Sequence, residues 1–311
     1  MAPKIGSIAL LAILASYSLL LCAQPSIGKP EVREIKTCWG NVTRDHIEIL
    51  TQVLIYNPNP IPLPLKDVLT ELEMNGLKVG EGKALKAEIL PGNNTVVLST
   101  RFENRKIPEW FATHVKNDET SYVKFKGYLV FDLKITEFRY PFEQSDSIKT
   151  DFLKGIDSTV QRKIDFPVKL TIESAKSYWG KVEKDFTEII TLIDVRNEDM
   201  VPVLFTKFKY SLDMNGVKMA EGISSLLVLI PPKSKESLIL VTKIDNEMLD
   251  DWFVKHVENR EKTEIKIELE AFVEVFGREM SFLLVKSKSF LETEIFRCTC
   301  YFETGILVCQ Y

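Results

Sequence analysis

The sequence predicts a mainly β protein built as two tandem antiparallel β-sandwiches, each with about seven strands and one short helix. Three observations carry that reading. First, the chain repeats itself: Trp39-Gly40, Asn57, Leu72 to Gly76, Glu81-Gly82 and Pro91 recur as Trp179-Gly180, Asn197, Leu212 to Gly216, Glu221-Gly222 and Pro231, all at a spacing of 140 residues. Second, most of each copy alternates apolar and polar residues with period two, the mark of a strand with one buried face. Third, turn signals separate these runs, and one segment per copy shifts to helical spacing. A repeat of about 130 residues is long enough to bury a core of its own, so the unit is a domain rather than a solenoid element.

The elements follow in order. Ile47, Ile49, Thr51, Val53 and Ile55 alternate, and Thr187, Ile189, Thr191, Ile193 and Val195 keep the same parity, so the inward face is specified twice. Val68, Thr70, Leu72 and Met74 run into Asn75-Gly76 before Leu77 and Val79; Asn-Gly between alternating runs is a strong hairpin signal, because both residues tolerate positive φ. Phe208 to Met219 repeat it around Asn215-Gly216. A further strand holds Val96, Leu98, Thr100 and Phe102, answered by Leu238, Leu240, Thr242 and Ile244. Then Ile107, Trp110, Phe111 and Val115 after Asn104, and Leu249, Trp252, Phe253 and Val257 after Asn246, fall at helical spacing; each helix is expected to cap one end of its sandwich. Long strands through Val123 to Leu133 and Ile265 to Val275, each with a return arm, complete the copies. The sandwiches are drawn at 30–154 and 166–297, with a linker at 155–165 and a cysteine-containing tail at 298–311.

Forty basic and 44 acidic residues give a net charge of -4, so no broad cationic field exists to neutralise phosphates, and nucleic acid is not an expected partner. Lys4 precedes an uncharged run from Ile5 to Ala23, which reads as an export signal at 1–23. Three fates stay open: cleavage after a mediocre small-residue site, retention as an anchor near the lower length limit for a span, or lipid anchoring at Cys22, which Leu21 in the place of a small residue disfavours. Each places the repeats outside the cytoplasm, secreted or anchored to the outer face, where disulfides persist and sequons matter. Asn41-Val42-Thr43 and Asn93-Asn94-Thr95 fit the glycosylation pattern at Asn41 and Asn93. A turn at Thr304-Gly305 would set Cys300 opposite Cys309, predicting a disulfide between them. The rival is a zinc site, but the local sequence offers no fourth ligand beside Cys298, Cys300 and Cys309, so no metal is assigned.

Asn57-Pro58-Asn59-Pro60-Ile61-Pro62-Leu63-Pro64-Leu65, directly after a hydrophobic strand, resembles the Asn-Pro-rich stretch of the type 2 late embryogenesis abundant proteins, also called the water stress and hypersensitive response, or WHy, domain. The likeness extends through the hairpin, Gly80 to Gly82 and Pro91. The second copy keeps only Asn197 and Pro202 of that signature, so its assignment rests on the repeat. The resemblance implies a fibronectin-III-like sandwich and a role in dehydration stress without chemistry of its own. Physically, each proline removes a donor and fixes φ, so the strand must end and the chain must cross over as an extended segment; Asn57, Pro58, Asn59, Pro60, Pro62, Asn197 and Pro202 are read as structural.

A search for chemistry returns no catalytic, cofactor or metal residue. His114 and His256 occupy equivalent helix positions and read as packing residues, and His46 is answered by Phe186, an exchange a general base does not tolerate. No nucleophile elbow, phosphate-cradling glycine loop or paired-histidine zinc motif is present. Acidic pairs such as Asp250-Asp251, and Glu183 with Asp185, are expected among 44 carboxylates and read as solvated. Trp110 and Trp252 read as core, and Trp39 and Trp179, each before glycine, as packing residues at a strand bend. The expected function is a non-catalytic, exported, stress-related protein whose partners are a membrane surface or client proteins, with no small-molecule substrate. The alternative is a cell-surface binding or adhesion module recognising a protein or glycan.

Overall fold

The computed structural model describes residues 28–310 apart from 87–88, 133–136, 158–161, 166–167, 294, 297 and 304–305. The apolar segment 1–23 and the Thr304-Gly305 turn lie outside the described residues. The first repeat contains β1 (Glu31–Val42), β2 (His46–Asn57), β3 (Leu65–Met74), β4 (Leu77–Lys86), β5 (Gly92–Glu103), α1 (Ile107–Lys116), β6 (Thr120–Asp132) and β7 (Glu137–Lys149). A short helix, α2 (Phe152–Asp157), leads to β8 (Arg162–Ile164), and the second repeat follows with β9 (Leu170–Val182), β10 (Phe186–Asn197), β11 (Val203–Met214), β12 (Val217–Ile230), β13 (Lys235–Asp245), α3 (Leu249–Glu258), β14 (Lys262–Val275) and β15 (Arg278–Glu292). The tail forms β16 (Thr299–Glu303) and β17 (Ile306–Gln310). The predicted mainly β, antiparallel sandwich architecture is what the chain adopts.

The alternation works as expected. Ile47, Ile49, Thr51, Val53 and Ile55 on β2 are all buried, and Asn75-Gly76 and Asn215-Gly216 turn their hairpins with both residues at positive φ. The sheets of the two repeats differ. In the first, β5 pairs with β4, so both layers join into one sheet of order β17-β16-β1-β2-β5-β4-β3-β6-β7. In the second, β12 and β13 share no ladder, leaving separate sheets β13-β10-β9-β8 and β12-β11-β14-β15. Glycine explains the contrast. A Cβ on Gly80 would stand 2.6 Å from the carbonyl oxygen of Arg101 on the paired strand, so β4 can approach β5 only without one. Ala220 stands at the equivalent place on β12 and carries that Cβ.

Three features depart from the sequence reading. Arg162–Ile164, within the linker drawn from the sequence, pair with Leu170 to Ile172 on β9. The extra helix α2 forms because Phe152 is buried and Leu153 packs beside it, the helix lying against β9 and β15 of the second repeat. The tail is no appendage: β16 pairs in parallel with β1 at Trp39 and Thr299, covering the outward face of β2 and burying Leu50. Among the described residues no helix is long and apolar enough to cross a membrane.

Each sandwich keeps a core of its own, around Ile55, Val68, Leu98 and Leu129 in the first repeat and Val195, Phe205, Phe208 and Leu269 in the second. A third core spans both. The helices do not cap opposite ends; α1 and α3 pack on each other, and Trp110 meets Phe253 at 5.6 Å between ring centroids while Phe111 meets Trp179 at 6.0 Å. Offset and edge-on aromatic pairs at these spacings contribute about 1 kcal/mol each beyond their burial. The two repeats are therefore fused through apolar surface.

Candidate functional site

The crossover after β2 is organised by one side chain. Asn57 is buried, its Nδ2 donates to the carbonyls of Ile61 at 3.0 Å and Ile89 at 3.4 Å, and its Oδ1 accepts from the backbone N–H of Asn59 at 2.9 Å and from Asn59 Nδ2 at 2.8 Å. Asn59 in turn ties down Gly28 through two hydrogen bonds. Pro58, Pro60 and Pro62 are exposed while Leu63 and Leu65 are buried. Asn197 repeats the arrangement, donating to Val201, Ile230 and Pro231 and accepting from the N–H of Asp199, with Pro202 exposed. The buried amide supplies partners that a proline-rich segment cannot supply for itself. Replacing Asn57 or Asn197 by alanine is expected to lower unfolding free energy by about 2–4 kcal/mol, because several buried groups lose partners at once; Pro202→Ala, at an exposed position, should cost less than about 1 kcal/mol. Urea titrations of the three variants check this ordering.

At the junction, two relays of polar side chains mirror each other. Trp110 Nε1 donates to Ser121 Oγ at 2.8 Å, Ser121 Oγ lies 2.8 Å from His114 Nδ1, His114 Nε2 lies 2.8 Å from Thr150 Oγ1, and Thr150 donates to Glu119 Oε2 at 2.9 Å. Glu119 then accepts Trp179 Nε1 of the other repeat at 3.0 Å. In the second relay Trp252, Thr263, His256, Thr293 and Glu261 take the same roles, and Glu261 accepts Trp39 Nε1 of the first repeat at 2.7 Å. Each repeat thus offers a tryptophan to the other's glutamate, an exchange with the logic of a two-fold interface inside one chain.

The hydrogen inventory fixes the histidine tautomer. The Thr150 hydroxyl hydrogen is committed to a carboxyl oxygen, so Thr150 Oγ1 accepts from His114 Nε2–H and Nδ1 accepts from Ser121. A neutral imidazole satisfies every partner. Burial pushes His114 down to about 4 against a slight opposing pull from Glu119, and burial alone pushes His256 down to about 4. Both glutamates sit at positive φ, 54° and 59°, at the turn between helix and strand, which aims their side chains back across the junction. Each also binds the backbone of the segment that follows its repeat: Glu119 accepts the Phe152 N–H, and Glu261 accepts those of Ile295 and Phe296. Sequence reasoning noted the histidines and missed the glutamates; their only signal was position, Glu119 and Glu261 answering each other across the repeat.

The remaining residues singled out from the sequence fall elsewhere. His46 bonds Thr43 within the β1–β2 turn. Asn41 and Asn93 are exposed, Asn93 accepting from Arg33. Cys300 and Cys309 face each other across the β16–β17 ladder and are joined by a disulfide, and a second disulfide links Cys38 to Cys298. The inter-sheet space of the second repeat holds a cavity of about 60 Å³ lined by residues such as Ile189, Thr191, Leu240 and Ile267. Its counterpart in the first repeat, about 220 Å³, is bordered by Ile295 and Phe296 from the segment between β15 and β16. Outward faces carry cross-strand charge ladders: Lys126 with Glu71 and Glu73, and Glu173 with Arg196 and Lys235. Glu173 is held below its ordinary value by hydrogen bonds from Lys235 and Arg196.

Fold and polar networks together define a class: paired β-sandwiches welded at an aromatic junction, with their buried polar groups engaged in holding backbone and partner repeat. Residues 52–146 match the LEA_2 family model, described as late embryogenesis abundant protein. That match lies within the first repeat, so the likeness to the type 2 late embryogenesis abundant family is shown for this part of the chain. An uncharacterized protein of Methanocaldococcus jannaschii is 25% identical over 127 residues, covering 39% of this chain and 71% of the relative. Among solved structures, a protein from Archaeoglobus fulgidus is 34% identical, covering 40% of this chain and 98% of its own, with a TM-score of 0.38. An Arabidopsis thaliana protein solved in solution is 22% identical, covering 40% and 83%, with a TM-score of 0.33.

Proposed function

We propose that the chain is an exported, non-catalytic stress protein that shields membranes or neighbouring proteins through its surface when water is scarce. The observation that carries this reading is the family match over residues 52–146. The outer faces are compatible with it. Mixed-sign ladders of Lys, Arg, Glu and Asp on solvated strand faces hold water and keep a protein soluble when it is concentrated. On this reading the second repeat is a WHy-like domain as well, and its role is shared with the first.

Drying a labile enzyme or liposomes with the purified tandem, against an equal mass of albumin, tests the proposal. Retained activity or retained vesicle contents well above the albumin control is the expected outcome, and parity with albumin refutes it. One observation favours the alternative of a cell-surface recognition module. On β12, an edge strand paired on one side with β11, Ile223, Leu227 and Leu229 are exposed, as is Ile239 on β13. Contiguous exposed apolar side chains mark interaction surfaces. If recognition is the role, Leu227→Lys with Leu229→Lys abolishes binding to cells or glycan-coated surfaces and leaves drying protection intact.

A further inference from the structure

We propose that Cys38, Cys298, Cys300 and Cys309 form a redox-gated metal site: two disulfides when oxidised, and a tetrathiolate centre for zinc or a similarly soft divalent cation when reduced. The fourth ligand that the local sequence lacks is Cys38, brought from 260 residues away by the pairing of β16 with β1. The sulfurs of Cys38, Cys298 and Cys300 lie within 4.8 Å of one another, and all three residues are buried. A tetrahedral zinc centre with bonds of about 2.3 Å sets its sulfurs about 3.8 Å apart, so small rotations of these side chains suffice. Cys309 stands directly opposite Cys300 with its Cα 4.1 Å away; its sulfur, held by Cys300 in the oxidised chain, lies outside that cluster and swings in by side-chain rotation once the disulfide opens.

The scaffold suits this role in either state. The Trp39 N–H donates to the Cys298 carbonyl at 3.1 Å, so the backbones that carry the cysteines are docked by more than the disulfides. Leu50 packs against the cluster and contributes a dry wall. Four thiolates select soft ions over calcium or magnesium. The chemistry balances. Each disulfide takes two electrons and two protons from an external dithiol, which closes to its own disulfide. The four resulting thiols then release four protons as four sulfur–metal bonds form. The tail remains fastened to β1 in both states, by S–S bonds in one and by the metal in the other.

The test uses the full chain, reduced anaerobically with dithiothreitol, freed of reductant and titrated with cobalt(II) alone while circular dichroism follows the fold. The expected result is one cobalt per chain with the intense absorption of a tetrahedral thiolate centre, displaced by zinc. The oxidised chain shows none of it, and Cys298→Ser and Cys300→Ser each lose it. A reduced, folded chain without that absorption overturns the proposal, as does absorption that survives in the double variant. A reduced chain that unfolds and is not refolded by zinc also overturns it.

Discussion

Glu261→Ala is expected to lower the free energy of unfolding by about 4 kcal/mol or more, the largest effect of any single substitution at the junction. The carboxylate accepts from Trp39 Nε1, Thr293 Oγ1 and the N–H groups of Ile295 and Phe296, all within 2.9 Å, and Glu261 is only 3% exposed. Removing it strands four donors in a site from which water is largely excluded, at about 1–3 kcal/mol for each that finds no new partner. The damage is not local. Trp39 packs against Phe253 of the other repeat at 6.1 Å and against Phe296 at 4.7 Å, so loosening it unseats the tail and the interface together. Glu119→Ala should cost less, since Glu119 accepts three such bonds. Urea unfolding followed by tryptophan fluorescence measures both, and a loss below about 1 kcal/mol for Glu261→Ala would show that the exchange does not hold the repeats together.

Acid is the second lever. Both relay histidines are pushed from 6.5 down to about 4 in the folded protein, so between those values the unfolded chain binds protons that the folded chain refuses. The stability the neutral rings contribute is complete above about pH 6.5. It is lost as pH falls toward 4, at about 1.4 kcal/mol per pH unit for each histidine. Together the pair makes unfolding easier by roughly 6 kcal/mol over that window, a large fraction of the 5–15 kcal/mol that ordinarily holds a domain together. Protonated Nδ1 can no longer accept from Ser121 or Thr263, so the relays break at the same step. Urea midpoints at several pH values should fall steeply in the parent chain and more gently in His114→Gln/His256→Gln. Equal slopes in the two proteins would remove the histidines from the account.

How much was legible in the sequence depends on the range of the interaction. Period-two alternation placed the inward residues of β2, β5, β10 and β13 correctly, because side-chain parity along a strand is a local property that the chain states twice. Asn75-Gly76 and Asn215-Gly216 announced their turns because positive φ is a property of the residues themselves. The helical segments were equally plain. Their destination was not: an apolar stripe says that a helix face is buried, not which surface buries it, and α1 and α3 bury theirs on each other.

The sequence by itself determined the duplicated strand-turn-helix order, the inward face of each strand, and the structural character of Asn57 and Asn197, all consequences of backbone sterics and short-range periodicity. Tertiary structure alone decided that the two copies are fused rather than merely consecutive. Trp39 reaches Glu261 and Cys38 reaches Cys298 across more than two hundred residues. Such partners are chosen by packing and by the need of buried donors and acceptors to be satisfied, and no spacing within one repeat encodes which distant group will meet that need.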